Sequence, residues 1–277
     1  MSESRSLTLA YSPCPNDTYI FAALANRWVP DAPTFDVTLA DVEALNNEAL
    51  RGTYDVTKVS YAVVPSVTQR YKVLRSGGAL GHNCGPLLVA RPESRRALED
   101  FRDAKIAVPG RRTTAFLLLQ MALGQTGPIE EMRFDRIAAA VHNGHADAGL
   151  IIHEARFTYR ETGLVEVADL GEWWAGQTGL PLPLGAIIAL RDFSAVETER
   201  LEQAIRASLH FARQYEDRVL AYVRRSTNES DDVIRKHIAL YVNEFSEDIG
   251  AQGEAAVREL LSRARTLENI ESEVRFA

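Results

Sequence analysis

The residues that could do chemistry cluster in four short stretches. In "GLIIHEARFTY", Gly149 to Tyr159, His153 ends an apolar run and Glu154, Arg156 and Tyr159 follow it. Imidazole is the usual general base near neutral pH, and open α/β sheets place their ligand sites at the carboxyl ends of strands. His153 is thus a candidate to move protons at a cleft; a hydrogen-bonded structural imidazole is the other account. Glu154 could orient it only if the strand has already ended, since successive strand residues point to opposite faces.

In "PGRRTTAF" a helix opens just after a strand, which offers unpaired N–H groups and a favourable dipole to an anion. Thr113 and Thr114 would add hydroxyls and Arg111 and Arg112 charge, or a threonine merely caps the helix. In "SPCPNDTY", Cys14 stands near a helix start, where a thiol ionises more readily. No histidine neighbours it in sequence, so a packing role fits it better than a nucleophilic one; Asn16 and Asp17 are expected to cap the helix and line the cleft. In "DVTKVSYA", Lys58 and Ser60 alternate with Val59 near a strand end. A lysine in an apolar strand could pair with a ligand carboxylate or with a buried aspartate.

Some chemistries find no support. The six histidines, at 82, 142, 145, 153, 210 and 237, form no H-E-x-x-H, and no paired C-x-x-C exists, so no metal is expected. His142 and His145 fit a helix C-terminus better. Neither G-x-x-x-x-G-K nor G-x-G-x-x-G occurs, so no nucleotide cofactor is expected.

The elements that must hold these groups alternate. "LTLAYS" reads as a strand, "TYIFAALANRW" as a helix, "FDVTLA" as a strand, "VEALNNEALR" as a helix and "YDVTKVS" as a strand. "AKIAVPG", "RRTTAFLLLQMAL", "MRFD", "RIAAAVHNG" and "ADAGLIIH" repeat that order. The expectation is an α/β fold with mostly parallel sheet. "LRGTYDVTKVSY" and "VHNGHADAGLIIH" share a glycine, an aspartate three residues on (Asp55, Asp147) and a strand, so each belongs to an equivalent unit in one of two lobes. "GPLLVAR" and "GAIIALR", 100 positions apart, read as the strands that carry the chain out of the first lobe and back. The expected division is lobe one at 1–87 and 187–277 and lobe two at 88–186, with a hinge and a central cleft. From Phe193 onward the chain reads as helical, and Leu201, Ile205 and Leu209 form a stripe that would pack on lobe one.

Composition narrows the class. The 277 residues, 46% hydrophobic and 25% charged, suit a globular protein, and a net charge of -7 argues against nucleic-acid or anionic-membrane partners. No apolar run approaches the roughly 20 residues of a membrane span, and the N-terminal stretch lacks a signal-peptide core, so cytoplasmic residence is expected. Two cysteines are too few for a disulfide scaffold.

"SPCPNDTYIF", "DVEALN", "TKVSYA", "SGGALG", "GPLLVA", "VPGRRTTA", "GLIIHEARFTY", "DLGEWW" and "TGLPLPLGAI", in this order over residues 8 to about 250, resemble the family of 1,4-dihydroxy-6-naphthoate synthases. The resemblance implies a two-lobed fold like the type II periplasmic binding proteins, without export. It also implies a lyase reaction on cyclic dehypoxanthine futalosine, a small aromatic carboxylate, in the futalosine route to menaquinone, with no cofactor. By the same resemblance the base is His153, and substrate contacts fall on Lys58, Val59, Ser60, Thr114 and Ala115, with Asn46 a further cleft contact. A chorismate dehydratase of the same pathway and a non-catalytic cytoplasmic solute sensor are the competing readings; oligomeric state is left open, as is whether Arg156 and Tyr159 bind substrate or brace the His153 loop.

Overall fold

The structure, a computed structural model, describes residues 5–94, 97–124, 126–268 and 274–277. Residues 1–4, part of the stretch read above for a leader, lie outside them.

One βαβαβ unit is used twice. The first runs β1 (Leu7–Tyr11), α1 (Pro15–Ala25), β2 (Phe35–Leu39), α2 (Val42–Arg51) and β3 (Val56–Ser60). After α3 (Val64–Val67), β4 (Tyr71–Val73), β5 (Ala79–Gly81) and β6 (Leu87–Ala90), the second follows. It comprises β7 (Ile106–Val108), α4 (Thr114–Leu123), β8 (Ile129–Glu131), α5 (Phe134–His142) and β9 (Ala148–Ile151). The chain continues through α6 (Ala155–Thr158), β10 (Val165–Asp169), α7 (Leu170–Thr178) and β11 (Leu182–Leu190). Five helices close it: α8 (Ala195–Gln214), α9 (Glu216–Val223), α10 (Asp231–Tyr241), α11 (Glu244–Glu247) and α12 (Gly250–Glu268).

The matched glycine–aspartate pairs do matched work. Gly52 and Gly144 both take a left-handed φ, +76° and +75°. Asp55 then accepts from the Thr8 N–H at 2.8 Å, and Asp147 from the Lys105 N–H at 2.9 Å. Each carboxylate pins the start of a third strand to the start of its parallel neighbour, β3 beside β1 and β9 beside β7.

Two sheets result, β2-β1-β3-β11-β4 with β5 on β11, and β10-β6-β9-β7-β8. They are mixed rather than mostly parallel: β11 runs antiparallel to β3, β4 and β5, and β6 antiparallel to β9 and β10. Parallel pairing comes from βαβ crossovers within one sheet; β6 precedes the second unit and β11 enters the first sheet from the second by way of α7, so neither is part of such a crossover, which the alternation of elements could not reveal. β6 lies wholly in the second sheet and β11 wholly in the first.

Two boundaries also differ from expectation. "MRFD" is not a strand; pairing falls on Ile129–Glu131, and α5 already begins at Phe134. The helix after β1 starts at Pro15 with Cys14 as its N-cap, in place of Asn16 or Asp17, because proline suits the first helical position. The α8 stripe packs as expected: Leu201, Ile205 and Leu209 are buried in one cluster with Leu9, Ile20, Phe21 and Ile187. Each such fully buried side chain stabilises the fold by about 1.5–3 kcal/mol.

Candidate active site

A cavity lies where the carboxyl ends of β3 and β9 meet the starts of α1 and α4. His153, Lys58, Val59, Ser60, Thr114 and Ala115 all line it. So do Ser12 from the turn after β1, Asn16 and Asp17 from the start of α1, Cys84 and Pro86 between the sheets, and His237 and Tyr241 from α10.

β9 stops at Ile151, and His153 takes φ +56°, a left-handed conformation that turns the chain at once. The strand has therefore ended before Glu154, and the two neighbours need not point apart. One ligand-capable atom each of Cys14, His153 and Glu154 lies within 4.8 Å of the others. His153 Nε2 and Glu154 Oε2 are shut off from solvent and have no hydrogen-bond partner. Burial is the main force on all three: it lowers the His153 pKa below its usual 6.5, lifts Glu154 to about 7 and lifts the Cys14 thiol well above its usual value. His153 near neutral pH is thus an uncharged imidazole with a free nitrogen, as a general base requires. Among the described residues these three are the one group of this kind that could ligate a metal. Two of its three donors hold protons at or above neutral pH, which a cation would have to displace.

The Glu154 shift makes a stability prediction. A carboxyl whose folded pKa lies above its unfolded value favours folding in acid and loses that advantage as pH rises through the window from about 4.5 to 7. Glu154→Gln removes the ionisation, so its gain over the wild type is expected to be absent near pH 4 and roughly 3 kcal/mol above pH 8. Parallel urea titrations at the two pH values check this; a difference independent of pH would contradict it.

Lys58, the odd residue in an apolar strand, is paired inside the protein. Its Nζ donates to Asp17 Oδ1 at 2.6 Å, both side chains being almost wholly buried. Asp17 also accepts from the Ser12 hydroxyl at 2.7 Å and the Asn16 amide at 2.8 Å. Gly185, opposite Ser60 in the β3–β11 register, makes room for the lysine, since a Cβ there would stand 2.7 Å from Lys58 Cε.

Asn46 sits behind the cavity wall and is not among its lining residues. Its Oδ1 accepts from Ser60 N–H at 2.8 Å, and its Nδ2 donates to Ser60 Oγ at 3.1 Å and to the Arg112 carbonyl at 3.2 Å. Ser60 Oγ already accepts from Asn46, so its own O–H is left to donate to a ligand. Thr113 caps α4, accepting from Phe116 N–H. The Thr114 hydroxyl accepts from Ala62 N–H at 3.3 Å and donates to the Leu184 carbonyl at 2.8 Å. What the start of α4 offers an anion is therefore the N–H groups of Thr114 and Ala115, which no intrahelical acceptor claims.

Arg156 and Tyr159 brace the loop. The Arg156 guanidinium donates to the carbonyls of Asn83 and Gly85 and to Asp169 Oδ2 (2.6 Å), and Tyr159 donates to Glu166 Oε2 at 3.1 Å. His142 and His145 are exposed at the end of α5, away from the cavity. Sequence reasoning gave no role to His237, Tyr241 or Cys84. The available signal for His237 was its place on the buried stripe of α10, with Val233, Ile234 and Tyr241, where a hydrophobic residue is the ordinary occupant.

Comparison with known proteins adds a lineage to this geometry. The sequence pattern of a family described as "Menaquinone biosynthesis" matches residues 7–266. The chain is 48% identical to the 1,4-dihydroxy-6-naphtoate synthase of Streptomyces coelicolor, over 94% of this chain and 93% of that protein. It is 49% identical to the protein of the same name from Thermus thermophilus, over 94% of each. Among solved structures, the alkanesulfonate-binding protein SsuA of Xanthomonas axonopodis pv. citri superposes with a TM-score of 0.75 at 13% identity, over 99% of this chain and 97% of that one. That likeness concerns the fold alone: two lobes of the periplasmic-binding-protein kind.

Proposed function

The chain belongs to the menaquinone biosynthesis family, and we propose that it is a lyase converting cyclic dehypoxanthine futalosine to 1,4-dihydroxy-6-naphthoate, with His153 as its general base. The observation that carries the base assignment is the unpaired, solvent-shielded Nε2 of His153 in the cavity, on an imidazole whose pKa burial lowers. His153 takes a proton from a carbon next to a carbonyl, and the electron pair left behind expels the sugar-derived fragment. The fragment leaves with the bonding electrons and is then protonated, and aromatisation of the remaining ring drives the step.

The substrate carboxylate sits at the start of α4. The Ser60 hydroxyl and the N–H groups of Thr114 and Ala115 are preorganised donors for it. Val59 walls that end, the Lys58–Asp17 pair stands beside it, and Asn46 aims Ser60. The lobes divide at residues 1–87 with 187–277 and at 88–186, save that β6 joins the second from Leu87 and β11 the first from Leu182, and their closure excludes water. The reaction is assigned to the cytoplasm on the likeness to biosynthetic enzymes; among the described residues no helix is long and apolar enough to cross a membrane.

Incubating the purified protein with cyclic dehypoxanthine futalosine, and separately with chorismate, tests this by mass spectrometry. The naphthoate from the first and nothing from the second is expected. Loss of water from chorismate, or tight binding of the first substrate without turnover, would replace the proposal by the dehydratase or the sensor.

A further inference from the structure

The site has a third wall, which neither βαβαβ unit supplies. α10 places His237 in the cavity with no exposed surface, and neither Nδ1 nor Nε2 of its ring has a hydrogen-bond partner. Its surroundings are other rings: Tyr241 at 4.6 Å, Phe157 at 6.2 Å and His153 at 6.3 Å between centroids. A neutral imidazole carries one donor and one acceptor, and protein interiors rarely leave both unpaired without a reason. Burial, with His153 and Lys58 nearby, holds this imidazole uncharged. A packing residue at this place would be better served by phenylalanine, which leaves nothing unsatisfied.

We propose that His237 is a substrate-contacting residue of the lyase site, its ring nitrogens paired by oxygens of the sugar-derived fragment that departs. The inference rests on the function proposed above. The His237 ring stacks with that of His153, their centroids 6.3 Å apart and their planes 21° from parallel. A ligand carbon in reach of His153 therefore has its neighbouring oxygens in reach of His237. His153 removes the proton, while the His237 N–H stabilises the oxygen on which negative charge gathers as the fragment leaves. No atom is transferred to His237.

The test compares the wild type with His237→Phe and His237→Asn by steady-state kinetics on cyclic dehypoxanthine futalosine and by thermal melting with and without the naphthoate product. His237→Phe is expected to melt at or above the wild-type temperature, because an unsatisfied polar ring gives way to an apolar one. Its kcat/KM is expected to fall roughly 10- to 100-fold, mostly in kcat, since the contact strengthens as charge develops. His237→Asn keeps a donor in a shifted place and should fall between the two. Product-induced stabilisation, which reports the aromatic end of the site, should survive in both. Wild-type kcat/KM in either folded variant overturns the inference while leaving the lyase standing. No naphthoate from the wild type itself overturns the lyase, and the role of His237 with it.

Discussion

His153→Asn is expected to lose roughly 10²- to 10⁴-fold in kcat while still binding substrate, the range a positioned base usually contributes. Asparagine is the right probe for a backbone reason. His153 holds φ +56°, a conformation that asparagine tolerates better than most residues and a β-branched residue resists, so the loop after β9 should keep its course. The amide cannot accept a proton near neutral pH, so the loss isolates the chemistry.

The pH profile sharpens this result. The base must be neutral, and burial lowers the His153 pKa below 6.5, so the acid limb of kcat/KM should lie on the acid side of 6.5. Any inflection near pH 7 that disappears in Glu154→Gln belongs to Glu154, whose carboxyl burial lifts to about that value. A His153→Asn enzyme with wild-type kcat would remove this residue from the mechanism and turn attention to Cys14 and Glu154 beside it.

The second large effect is on stability. Lys58→Met leaves Asp17 charged and buried without its cation, and breaking such a pair costs about 3–5 kcal/mol. In a chain of this size that lowers the melting temperature by on the order of 10 °C. Ser12 and Asn16 continue to donate to Asp17 and hold the loss toward the lower figure. Replacing both partners, Lys58→Met with Asp17→Leu, should recover much of the stability, because no uncompensated charge remains. A single variant that melts with the wild type would mean that the pair is not formed in solution. Activity is expected to be lost in both, since both residues line the cavity.

How much of this was legible beforehand differs residue by residue. His153, Ser60 and Thr114 were singled out because each follows a local pattern, a strand that ends and then a polar group or a helix start, whereas Ala115 was named only through the family resemblance. Lys58 was legible as unusual, but its partner was not. Asp17 lies 41 residues away on another element, and only the pairing of β1 with β3 brings them within 2.6 Å. Thr114 was named for its hydroxyl, yet that hydroxyl is engaged with Leu184 and Ala62, residues that sequence spacing cannot place.

The sequence by itself determined the two βαβαβ units, the glycine–aspartate corners that start β3 and β9, the buried stripe of α8 and the family. Periodicity, turn residues and caps act within a few positions, so they can be read from one stretch at a time. Only the tertiary structure decided the antiparallel return of β6 and β11, the Lys58–Asp17 pair, the meeting of Cys14, His153 and Glu154, and the place of His237 in the cavity. Each of these depends on which elements pack side by side. That choice is made by apolar burial summed over the whole chain, and no local stretch encodes it.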